Sequence, residues 1–64
     1  MKPPSIYRVS LADTKYGPVT LTVYEGDDYQ AAFDKAVDAR SIEEWRGQWI
    51  KFITPDGDKW ALIS

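Results

Sequence analysis

The side chains of this sequence with the most chemistry to offer are carboxylates and aromatics. Asp56-Gly57-Asp58 sets two acids one residue apart, as a calcium loop begins. The ligand spacing of an EF-hand does not continue past it, and no Glu stands at the twelfth position. A turn explains the triplet more simply. Glu25, Asp27 and Asp28 would suit a cation, but aspartates ahead of a helix also serve as caps. Four isolated glycines build no phosphate-cradling loop. The chain has no His and no Cys. That removes an imidazole acid–base catalyst, a Ser-His triad, a His- or Cys-ligated metal and thiol chemistry. Paired carboxylates need a cleft to act as acid and base, and 64 residues leave little room for one. No enzyme activity, cofactor or metal is expected. Binding is what remains.

Hydrophobic residues are 44% of the chain, aromatics 14% and charged residues 28%, a globular composition rather than a disordered one. A domain this small has a thin core. Met1-Lys2-Pro3-Pro4-Ser5 opens no signal peptide, and no apolar run nears the roughly 20 residues of a membrane span. The expectation is an extended tail over 1–5, a single domain over 6–64, a cytoplasmic location and no membrane contact. Charge is uneven. From Glu25 to Glu44 seven acids meet two bases, a net −5, while the rest carries three acids and six bases, a net +3.

Alternation of apolar and polar residues predicts strands over 6–12 and 19–24, joined as a hairpin by the loop 13–18. Tyr7, Val9, Leu11, Val19, Leu21 and Val23 would share one face. Asp27 or Asp28 caps a helix reaching about Arg40, with Tyr29, Ala32, Phe33, Ala36 and Val37 as its apolar stripe. Ser41 with Glu44 resembles a capping box for a short second helical turn, which Gly47 ends. Trp45 suits a plug for the core. Segments 48–54 and 59–63 read as a second hairpin. A three-residue loop Pro55-Asp56-Gly57 would set Thr54 opposite Asp58, Phe52 opposite Trp60 and Ile50 opposite Leu62. All four residues of the last two pairs are apolar, which supports that register.

The fold class predicted is α+β: a single four-stranded sheet with one helix on one face, in the order β-β-α-β-β. That order and those lengths are similar to the immunoglobulin-binding domains of protein G. The likeness implies a β-grasp, a mixed sheet with its first and last strands parallel at the centre. The alternative is an all-antiparallel sheet. No motif is shared, so no function follows from the likeness.

In the predicted register the sheet face away from the helix carries Trp49, Lys51 and Ile53, then Lys59, Ala61 and Ile63, beside Arg8 and Tyr24. A solvent-facing side should be polar. Trp49, Ile53, Tyr24 and Ile63 are candidate anchors for a partner, with Arg8, Lys51 and Lys59 as the rim. Cover by the tail, by the loop 13–18 or by the segment 41–47 would also account for an apolar outer face. So would a register slipped by one residue. The acidic helix, with Asp34 and Asp38, is a second candidate surface. The expected function is a small non-enzymatic module that binds another protein. A phage or mobile-element inhibitor occupying a surface of a host protein or defence complex is one such role. Single-stranded nucleic acid on the aromatic sheet face and a homodimer are the alternatives.

Overall fold

Asp28 starts the helix, its carboxylate accepting the Ala31 N–H at 3.2 Å. In the computed structural model, which describes residues 6–64, the elements are β1 (Tyr7–Ala12), β2 (Val19–Gly26), α1 (Tyr29–Arg40), a 3-10 turn (Glu43–Trp45), β3 (Trp49–Thr54) and β4 (Gly57–Leu62). The tail expected over 1–5 lies outside the described residues. Ser41 closes α1 through its backbone N–H, and no side chain caps the 3-10 turn, so the expected capping box is not used.

The protein is α+β with one antiparallel sheet in the order β2-β1-β3-β4. β1 has β3 as its antiparallel neighbour and no parallel β4, so the likeness to protein G stops at element order. Composition gives the reason. Trp-Ile-Lys-Phe-Ile-Thr of β3 suits the interior of a sheet, whereas Gly57, Asp58 and Lys59 of β4 suit an edge.

Two registers differ from the expected ones. The β3–β4 hairpin pairs Thr54 with Gly57, so only Pro55 and Asp56 form its loop. The Thr54 hydroxyl donates to the Gly57 carbonyl at 2.7 Å and accepts the Asp56 N–H at 3.2 Å, closing the tighter turn. Gly57, at φ +133°, stays in the ladder at a torsion other residues rarely adopt. The one-residue shift turns β4 over. Trp60 now opposes Lys51 and Leu62 opposes Trp49, away from the helix; Lys59 and Ala61 oppose Phe52 and Ile50 on the helix side. In β2, register shifts opposite Val9/Ser10 and Leu11/Ala12 leave Val23 and Thr20 unpaired. Tyr24 then opposes Val9 and Leu21 opposes Leu11 on the helix side, while Val19 joins Ala12 on the other.

Val9, Leu11, Ala32, Ala39, Ile50 and Ile63 are the buried core, with Tyr24, Trp45 and Phe52 packed around it. Trp45 closes the core as expected. Ser10 is also fully buried, on the far side of β1, and its hydroxyl has no partner among the described residues. A buried unpaired hydroxyl is a net cost. Ser10→Ala is therefore expected to raise stability by up to about 1 kcal/mol. A lowered urea midpoint would show that the hydroxyl is needed.

Candidate functional site

The sheet face away from the helix gathers Trp49, Lys51 and Ile53 from β3 with Trp60 and Leu62 from β4. Three other residues expected there, the anchors Tyr24 and Ile63 and the rim residue Lys59, are absent from it. Tyr24 lies on the helix side, where its hydroxyl reaches the Asp28 carbonyl at 3.5 Å. Lys59 is on the helix side as well, and Ile63 is fully buried in the core. The β2 bulge moves Tyr24; the tighter β3–β4 turn moves Lys59 and Ile63.

What is left of that face is largely engaged within the molecule. Lys15 Nζ, from the β1–β2 loop, lies 5.5 Å from the Trp49 ring centre and 5.3 Å from that of Tyr16. Tyr16 sits at φ +66°, unusual for a side-chain-bearing residue, and meets Trp60 edge-on with ring centres 5.4 Å apart. Lys51 Nζ lies 5.4 Å from the Trp60 ring centre and 3.7 Å from an Asp58 carboxylate oxygen. Arg8 Nη2 donates to Glu25 Oε1 at 2.8 Å. Trp49, Ile53 and Trp60 are half-buried. The loop over 13–18 is thus one of the expected covers that the structure uses over Trp49. Each cation here already has an aromatic ring or a carboxylate.

The helix side shows a different kind of surface. α1 packs over β1, β2 and β3 and makes little contact with β4. Ala32 and Ala39 are buried and Ala36 is half-buried, so small side chains seat the helix on the sheet. The bulkier row Tyr29, Phe33 and Val37, at i, i+4 and i+8, runs along its flank. These three are 50%, 46% and 49% exposed. Between that flank and the β3–β4 hairpin lies an open groove of about 220 Å³. The Tyr29 ring stands 5.9 Å from that of Phe52 across it and 6.3 Å from that of Phe33 beside it. Arg40 and Lys59 also line the groove; among the described residues no carboxylate does. Neither cation forms an ion pair among the described residues.

Asp34 and Asp38, the second candidate surface, are exposed on α1 and line no part of the groove. Gln30 donates to Asp34 at 3.0 Å. Among the described residues no group of acids is placed to hold a metal ion, and no helix is long and apolar enough to cross a membrane.

The sequence did contain a signal for the groove. Ala32, Ala36 and Ala39 form one helical row, and Tyr29, Phe33 and Val37 form the row beside it. Merged into one stripe, they conceal which row meets the sheet. Comparison with protein-family models, curated proteins and solved structures finds no match. The functional reading therefore rests on the surface.

Proposed function

We propose that this protein is a small non-enzymatic module that binds another protein in the groove between α1 and the β3–β4 hairpin. One observation carries the reading. Tyr29, Phe33 and Val37 leave about half their surface in water, side by side, along a groove lined with Phe52. Contiguous apolar exposure of this kind marks interaction sites, and aromatic anchors in a groove dominate binding energy. A groove near 220 Å³ is small for a metabolite pocket but suits two or three side chains of a partner. Such a module acts by occupying a surface. Inhibition of an enzyme or defence complex by a phage protein is work of that kind.

Phe33→Asp tests the site. The side chain is half exposed, so the variant should fold, with a melting temperature within a few degrees of wild type. A partner captured from lysate of the source cell, or of its host, by wild type and by Trp49→Lys should be lost with Phe33→Asp. Loss with Trp49→Lys alone would return the site to the opposite sheet face.

The lysines over Trp49 and Trp60 favour a second reading, single-stranded nucleic acid stacked on that opposite face. Titration with oligothymidylate decides it. Tryptophan quenching that fades steeply with added salt would support it; no quenching at low salt would end it.

A further inference from the structure

We infer that the groove takes its partner as an extended acidic peptide, which adds a fifth strand to the free edge of β4. This rests on the groove being the contact surface and specifies what enters it.

Among the described residues β4 pairs with β3 alone. Just beyond β4, the Ile63 N–H donates to the Gln48 carbonyl at 2.9 Å, and the Ile63 carbonyl accepts the Gly47 N–H at 2.7 Å. Antiparallel backbone groups alternate in direction. Gly57, Lys59 and Ala61 therefore also point theirs at β3, and Asp58, Trp60 and Leu62 turn their N–H and C=O groups to the open edge. Three donors and three acceptors stand there in a row. The other edge strand, β2, is bulged twice against its neighbour, a device that blunts an edge. β4 keeps an unbroken register through all six residues.

The groove lies beside that straight edge. Lys59, Trp60 and Ala61 line it from below, and the Tyr29, Phe33 and Val37 flank lines it from the helix. A strand added about 4.8 Å from β4 would send every second side chain towards that flank. From Tyr29 to Arg40 the helix rises about 16 Å, the length of about five extended residues. Lys59 pairs with Phe52, whose ring faces Tyr29, whereas Arg40 ends α1. A cation thus stands towards each end of an apolar trough whose described lining holds no carboxylate. The complementary segment has apolar residues at alternate positions and acids flanking them.

Other occupants fit less well. A helix laid in the groove would shield the Trp60 edge groups without bonding them, at a desolvation cost. A second copy paired through β4 would bring another Lys59 to the same face and no carboxylate, since Asp58 points to the opposite side of the sheet.

Random linear decapeptides displayed on phage, selected against the full chain, test the inference. Enriched peptides should alternate apolar residues and carry acids at their ends. Binding should slow amide exchange at Asp58, Trp60 and Leu62 and leave Lys59 and Ala61, already bonded to β3, unchanged. Leu62→Pro removes one edge donor without touching the β3 ladder and should weaken binding about tenfold. Lys59→Glu should weaken it at least as much. If Leu62→Pro does not fold, the exchange pattern on wild type carries the test. Peptides with apolar residues three and four apart, bound with no change at the β4 edge but lost with Phe33→Asp, would overturn the strand and keep the groove. Peptides indifferent to Phe33→Asp, or no enrichment, would overturn both.

Discussion

Leu11→Ala is expected to remove about 3–5 kcal/mol of folding stability. Leu11 is 1% exposed on β1, which is paired on both sides, with Leu21 and Ile50 as its cross-strand neighbours. Ala32 and Ala39 press on the same core from the helix. Backbone held by two ladders cannot collapse into the space a lost isobutyl group leaves, so the cavity persists and its cost adds to the lost transfer energy. Scaled per residue, a domain of this length has only about 3–10 kcal/mol in all. Urea denaturation followed by tryptophan fluorescence should show the variant largely unfolded or with a collapsed midpoint. A loss below about 1.5 kcal/mol would mean that the core is not centred on β1. Phe52→Ala provides the contrast. The larger side chain would ordinarily cost more, but Phe52 is only half-buried on the wall of the groove, so about 1–2 kcal/mol is expected.

Ile63→Ala is the second large effect, at about 2–4 kcal/mol. By its place in the sequence this residue resembles a surface anchor near the end of a strand. In the fold it is fully buried, and its backbone is bonded to Gly47 and Gln48. Truncation removes the side chain that holds the end of β4 against the core. The loss should appear in thermal unfolding, and the Gly47 and Ile63 amides should exchange faster before the rest of the sheet opens. A fully stable Ile63→Ala with impaired partner capture would place the side chain on the surface after all.

Ile63 illustrates why part of the site is hidden in the sequence. Along β4, Trp60 and Leu62 lie on one parity and Ala61 and Ile63 on the other. Both faces of the strand are apolar, so the hydrophobic pattern accepts either register. The hydroxyl of Thr54, closing a two-residue turn ahead of a glycine at positive φ, selects between them. Tyr24 falls on the unexpected face for a related reason. Thr20, Thr22 and Tyr24 alternate cleanly with Val19, Leu21 and Val23, and a bulge leaves no mark on such a pattern.

Four strands, the helix with an aspartate cap at Asp27 or Asp28, and the apolar faces of β1 and β3 are legible from the chain alone. They depend on local periodicity and on turn chemistry, which neighbouring residues settle among themselves. The lack of His and Cys likewise excludes imidazole and thiol chemistry. Three features needed the assembled domain: which strand lies beside β1, which way β4 faces, and the seating of α1 on its alanines with Tyr29, Phe33 and Val37 left in water. Those choices compare burial and hydrogen bonding between segments distant in the chain. Where two faces are nearly equal in apolar content, only packing of the whole domain makes them unequal.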